Sequence, residues 1–171
     1  QIVTLSYNRP LYIGPEASLE FHDAGHILGS SFADINIKQS GKKDTRILFT
    51  GDLGRKCKPI VRDPAVSFAA PDYIVLESTY GNRKHEPIDF AQNELIKIIR
   101  KAIDRRGKII IPSFAIERTQ EIIYFLHLLV DQKKIPSIPI YVDSPMAANA
   151  TSIFRVHPEC YDADVTEAFL K

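Results

Sequence analysis

The stretch that most constrains this chain runs from Phe21 to Arg55, where an alternating segment lies between two short polar loops, His22-Asp23-Ala24-Gly25-His26 and Gly51-Asp52-Leu53-Gly54. Ala33, Ile35 and Ile37 alternate with Asp34, Asn36 and Lys38, the period-2 signature of a strand with one buried face. Ser40-Gly41-Lys42-Lys43-Asp44 turns the chain, and residues 46–50 return with Ile47, Leu48 and Phe49. Paired antiparallel across that turn, the return strand delivers Asp52 close to the start of the outgoing one, a few residues after His26. A histidine and an aspartate are thereby brought to the same end of one sheet.

That juxtaposition has chemical meaning. Neutral imidazole and carboxylate are standard ligands for zinc and similar divalent ions, and a carboxylate has two oxygens with which to bridge two of them. Gly25, Gly51 and Gly54 allow the close backbone approach that a crowded ion site at strand ends needs. On spacing alone the plainer alternative, a loop histidine and a turn aspartate, stays open. His22 and His26 also share the i, i+4 spacing of a helical zinc-protease motif. That motif is rejected because Asp23 stands where it has Glu, Gly25 is a poor helix residue, and Leu19 and Phe21 alternating with Ser18 and Glu20 lead in as a strand.

Elsewhere the pattern is of alternating strands and helices. Residues 1–22 offer two or three strand-like runs, the first at 2–5, punctuated by Asn8-Arg9-Pro10 and Gly14-Pro15. Tyr73, Ile74, Val75 and Leu76 in succession read as a strand buried on both faces that ends in Glu77. Apolar residues from Ile88 to Ile103 recur at helical spacing within 86–106 and Gly107 closes that helix. A strand at 108–111, a largely apolar and so buried helix at about 115–131, a strand at 140–142 and a helix from Met146 to about His157 follow. That order implies a parallel sheet with right-handed crossovers. Binding groups in such sheets sit at the carboxyl ends of strands, which are the loops carrying Glu77, Ser113 to Arg118, and Asp143 with Ser144. Arg118 falls in the first turn of its helix, where its charge opposes the dipole, so it calls for a phosphate or carboxylate partner; Glu117 and Glu121 are candidates within the chain.

With 22 basic and 21 acidic residues the formal charge is +1, so any case for nucleic acid rests on local patches, such as the seven Lys or Arg between Lys42 and Arg62. Cys57 and Cys160 form no Cys-x-x-Cys pair and are expected to be reduced and structural. No apolar run approaches the roughly 20 residues that cross a bilayer and no signal segment is present, so no membrane association is expected and a cytoplasmic location follows by default. His85, His127 and His157 are taken as structural, and the acidic tail at 159–167 as exposed.

Gly25-His-Ile-Leu-Gly-Ser30, Phe49-Thr-Gly-Asp-Leu-Gly-Arg55 and Asp72-Tyr-Ile-Val-Leu-Glu77-Ser-Thr-Tyr-Gly-Asn-Arg83 together closely resemble the metallo-β-lactamase-fold nucleases of the β-CASP family. The resemblance continues through Lys108-Ile-Ile-Ile-Pro-Ser-Phe-Ala-Ile-Glu-Arg-Thr-Gln-Glu121 and Ile140-Tyr-Val-Asp-Ser-Pro-Met146, so it covers nearly the whole chain. It implies an α/β fold in two incomplete portions: the later part of a metallo-β-lactamase-like sandwich at 1–81 and the first part of a parallel-sheet β-CASP domain at 82–171. It implies a metal-dependent hydrolase that cleaves RNA phosphodiester bonds, as an exonuclease or an endonuclease, with a water activated by two zinc ions.

In that resemblance His26 binds one ion, Asp52 bridges both and acts in catalysis, and Glu77 is the first β-CASP acidic motif, a catalytic-site carboxylate beside the metals. RNA is the implied partner, with contacts expected from Ser113, Arg118 and Ser144, and a homo-oligomer is admitted. The family's His-x-His-x-Asp-His cluster and its later histidine motifs do not occur in these residues. The chain, which starts at Gln1, is therefore expected to be a piece of a longer protein, inactive by itself and a weak zinc binder. Two alternatives stay open: a catalytically inactive RNA-binding or scaffold paralogue, and a small-molecule hydrolase of the metallo-β-lactamase fold.

Overall fold

A computed structural model describes residues 2–66, 68–162 and 165, and the chain divides into two compact units, residues 1–79 with 157–171, and 80–156. The first unit is built on a five-stranded sheet in sequential order, β1 (Leu11–Tyr12), β2 (Ala17–Asp23), β3 (Ser31–Ile37), β4 (Thr45–Phe49) and β5 (Tyr73–Val75). The first four strands pair antiparallel; β5 runs parallel to β4. The hairpin expected from the alternation is present, with Ala33 opposite Phe49 and Ile37 opposite Thr45. β2 runs on through His22 to Asp23, which leaves no helix for a zinc-protease motif.

The alternation gives the strands but not the more buried face. Ala33, Ile35 and Ile37 are half-buried, whereas Phe32, Asp34, Leu48 and His22 on the opposite face are buried. The cause is the segment that joins β4 to β5. A parallel pair needs a crossover, and here the crossover lies over that face: Phe68 stacks on His22 at 5.3 Å between ring centroids and meets Phe32 edge-on at 6.1 Å. Asp34 tolerates burial because the Arg46 Nε–H reaches both its oxygens, at 2.8 and 3.0 Å, and His22 Nε2 lies 3.4 Å away. His22 Nδ1 is 2.8 Å from Asn8 Oδ1, completing a polar line through the sheet. Residues 2–5 form no strand, and β5 is exposed rather than buried on both faces, with Ile74 59% and Val75 52% accessible, because β5 is the sheet's edge.

Asp72 ties β5 to the hairpin. It accepts from Lys43 Nζ at 2.7 Å and from the Arg46 N–H at 2.9 Å, and these bonds, Lys43 first, hold its carboxyl below the usual range. A carboxylate depressed in the folded state stabilises fully above its unfolded pKa, about 3.8, and that contribution disappears as pH falls through the lower folded value. Asp72→Asn is therefore expected to flatten the acid limb of a urea-unfolding stability curve below pH 3.8. An acid limb identical to the parent's would remove this pair from the account.

The acidic tail turns out to be partly built in. Tyr161 bridges to Val61, and Tyr161 and Val165 are only 4% and 2% accessible, so the tail closes against the crossover through Arg62 N–H to Cys160 O and Asp162 N–H to Ile60 O. The remaining tail positions of that expectation, 163, 164, 166 and 167, lie outside the described residues. Cys57 is exposed, Cys160 is half-buried, and both are free thiols.

The second unit holds α1 (Ile88–Asp104), α2 (Arg118–Asp131) and α3 (Pro145–Arg155). Ile99, Leu126, Leu129 and Ile135 form its core, and Ala102, Ala147, Ala150 and Phe154 are buried as well. α2 is less buried than its apolar sequence suggests, and its first turn buries polar Thr119, Gln120 and Glu121. Gln120 Nε2 donates to Ala115 O, Ala147 O and Thr151 Oγ1, so this amide joins α2 to α3. The strands expected at 108–111 and 140–142 are not formed. Ile110 is 88% and Tyr141 87% accessible, since a strand needs a ladder and no described residue supplies one to these segments. His127 is exposed on α2, and His157 pairs with Glu159 at 2.7 Å. Among the described residues no helix is long and apolar enough to cross a membrane.

Candidate metal centre

His26 lies in the turn between β2 and β3, and the turn is held by its own side chains. Asp23 Oδ1 accepts the Gly25 N–H at 2.8 Å, and Ser30 Oγ accepts those of His26 at 3.0 Å and Ile27 at 3.2 Å. The Tyr7 hydroxyl donates to Ser30 O at 2.8 Å, and burial, with Asp23 nearby, pushes its pKa up to about 12. Burial also raises the Asp23 carboxyl above its ordinary value. Asp52 follows Gly51, which adopts the left-handed φ of 54° after Thr50 N–H has bonded Val75 O.

The two loops meet through their backbones. Gly54 N–H donates to Ala24 O at 2.9 Å, and a Cβ at Gly54 would stand 1.9 Å from Gly25 O and 2.1 Å from Gly25 C. Gly25 is confined from its other side, where a Cβ would come within 2.6 Å of Pro64 N. Lys58 Nζ adds a bond to His26 O at 2.5 Å. The crossover after Asp52 is thus pinned on the His26 turn at three points along its length.

The outcome is a His26 Nε2 to Asp52 Oδ2 separation of 3.9 Å, with the two side chains 40% and 76% accessible. That is shorter than about 4.2 Å, the sum of two zinc–ligand bonds of roughly 2.1 Å. At a tetrahedral angle those two bonds span about 3.4 Å, so a side-chain shift of about 0.5 Å brings both atoms to one ion. The donors are of the right chemistry and spacing for a divalent ion, but the set is partial: among the described residues no group of three or more His, Cys, Asp or Glu gathers around one point.

Glu77 joins this group from the end of β5. Its Oε1 accepts the Leu53 N–H at 2.7 Å, next to Asp52 in the chain. The Thr79 hydroxyl first, then the Leu53 and Thr79 N–H groups and the His26 charge, lower the Glu77 carboxyl below its ordinary value. It is an anion that steadies the Asp52 loop. His26, Asp52 and Glu77 are thus brought together in the first unit. In the second, Ser113 Oγ bonds Thr119 Oγ1 at 3.1 Å, Ser144 Oγ caps α3 through the Ala147 N–H at 3.2 Å, and Arg118 pairs with Glu121 at 2.8 Å. Each of these three has an internal partner. Sequence inspection noted Gly25 and Gly54 for their freedom and missed that they touch; Lys58 carried no signal beyond a basic loop.

Residues 119–171 match the Beta-Casp domain family. Over those residues the chain is similar to the β-CASP family. Over 98% of its length it is 36% identical to ribonuclease TTHA0252 of Thermus thermophilus, of which it covers 37%. It is 34% identical over 96% of its length to transcription termination factor FttA of Methanothermobacter thermautotrophicus, covering 26% of that protein, and 28% identical over 99% to endoribonuclease YSH1 of Kluyveromyces lactis, covering 22%. The chain thus spans well under half the length of these curated relatives.

Proposed function

We propose that this chain is part of a metal-dependent ribonuclease whose catalytic ions are held in part by His26 and Asp52. The observation that carries it is the 3.9 Å convergence of His26 Nε2 and Asp52 Oδ2, fixed from behind by backbone contact of their loops. The names of the relatives supply the substrate class: two are a ribonuclease and an endoribonuclease.

Two zinc ions, when bound, supply a hydroxide at neutral pH and offset the charge that develops on phosphate oxygens during hydrolysis. The chain's own residues do the following. His26 offers its Nε2 while its backbone N–H and C=O are occupied by Ser30 and Lys58, so its ring is presented from a fixed turn. Asp52 offers two oxygens from an exposed loop and is assigned the bridging position. Glu77, ionised and bonded to the Leu53 N–H, keeps that loop in place from the next strand.

The half-exposed apolar face of the sheet, with Leu19, Ile35, Ile37 and Ile47, supports assigning residues 1–81 to the later part of a sandwich, where a second layer covers such a face. Exposed apolar segments at 108–111 and 140–142 support assigning residues 82–171 to the beginning of a β-CASP domain in which they join a parallel sheet.

The test is metal content and cleavage of a single-stranded RNA by the intact protein, before and after exhaustive chelation. Two metals per chain, cleavage lost on chelation and regained with zinc, is the expected result. No bound metal and no cleavage with RNA binding retained would replace the nuclease by an RNA-binding scaffold.

A further inference from the structure

In the second unit the cation singled out by sequence, Arg118, already has Glu121 as its partner at 2.8 Å. Cations without one converge elsewhere in the same unit. A concavity of about 510 Å³ is lined by Arg100 of α1, by Lys133, Lys134 and Ser137 in the turn after α2, and by no acidic residue. Arg100 Nη2 donates to Lys134 O at 2.9 Å, which anchors its guanidinium at the rim. Lys133 has a left-handed φ of 55°, and the Lys133 and Lys134 N–H groups bond Val130 O and Leu129 O at 2.9 Å each, so the turn is fixed by its backbone. Both lysines are exposed, and neither ammonium has a hydrogen bond or ion pair among the described residues.

Lysines after a helix C-terminus offset its dipole. That accounts for one such charge, but not for a third cation brought to the same concavity by another helix and held there by the lysine's own carbonyl. Like charges around one concavity repel, and the arrangement relaxes when an anion enters.

We propose that this concavity is a phosphodiester-binding subsite for RNA, taking two or three backbone phosphates by charge and reading no base. It rests on the ribonuclease assignment for its ligand and adds a contact surface in the second unit. Lysine and arginine facing phosphates act through counterion release, so the contact weakens with salt in proportion to the number of phosphates neutralised.

The experiment measures binding of a labelled single-stranded RNA by fluorescence anisotropy across a salt series. It uses the intact protein carrying Asp52→Ala so that no strand is cut. Lys133→Gln/Lys134→Gln is expected to weaken binding roughly 10- to 30-fold at about 0.1 M salt and to reduce the log–log salt slope by about 1.4, some 0.7 for each phosphate contact on a single strand. Arg9→Gln/Lys38→Gln removes the same charge from exposed positions of the first unit, outside the basic stretch from Lys42 to Arg62, and is the control. Equal affinity and equal slope for the two double variants would overturn the subsite and leave the nuclease assignment standing. Inorganic phosphate held by the concavity with RNA affinity unmoved would assign it to a small anion and overturn it too. Should the parent bind no RNA at all, the ribonuclease assignment falls and the subsite falls with it.

Discussion

Asp52→Ala in the intact protein is expected to abolish metal loading at the bridged position and to reduce RNA cleavage by far more than 100-fold. Loss of an outer partner of a metal ligand already costs roughly 10- to 100-fold, and Asp52 is assigned as a ligand shared by two ions. The same substitution should leave the metal-free fold alone. The Asp52 side chain is 76% accessible, and a surface substitution of this kind changes stability by within about 0.5 kcal/mol. Metal stoichiometry by elemental analysis, single-turnover cleavage and urea unfolding of the metal-free protein separate the two effects. Cleavage at the parent's level would remove Asp52 from the mechanism.

The largest effect on stability is expected from Gly54→Ala. The added carbon would lie 1.9 Å from Gly25 O and 2.7 Å from Ala24 O, and both are backbone atoms with no rotamer to change. Relief requires the His26 turn or the crossover to move. Overpacking costs about 1–3 kcal/mol, and the Gly54 N–H to Ala24 O bond would be lost or stretched at roughly 1 kcal/mol more. Gly29→Ala is the comparison, since Gly29 has φ of 81° but nothing within 4 Å of its would-be Cβ. It should cost only the left-handed penalty of about 1–2 kcal/mol. Equal unfolding midpoints for the two variants would show that the loops do not touch as described. A Gly54→Ala protein that folds should also bind the ion at His26 more weakly than the Gly29 variant.

Local signals carried much of this molecule. The alternation from Ala33 to Lys38 gave the hairpin, the apolar spacing of 86–106 gave α1, and the helix expected from Met146 is α3, which starts one residue earlier at Pro145, because each depends on neighbours within a few residues. What depended on distant neighbours was misjudged. Asp34 looked like an outward residue and is buried, since its partners Arg46 and His22 come from two other strands and its cover from Phe68. Tyr73 to Leu76 looked interior and lie at an edge. The candidate centre follows the same division. Turn length and pairing were enough to bring His26 and Asp52 to one end of the sheet, but the 3.9 Å between their atoms depends on Gly54 meeting Gly25, a contact between residues 29 positions apart that no periodicity records.

The crossover between β4 and β5 also bears on how this unit comes into being. Strands β2, β3 and β4 join by short turns and can pair early, as local antiparallel hairpins do in microseconds. β5 cannot add until the chain between Phe49 and Tyr73 has closed a loop, and closing it costs entropy before the parallel ladder returns any. Asp52, Gly54, Lys58 and Phe68 all lie in that loop. The 3.9 Å approach of His26 and Asp52 therefore depends on closure of that loop as well as on the hairpin that first suggests it. A geometry suited to an ion at this position is thus expected to arise together with the parallel β4–β5 ladder, not from the local turn of the hairpin alone.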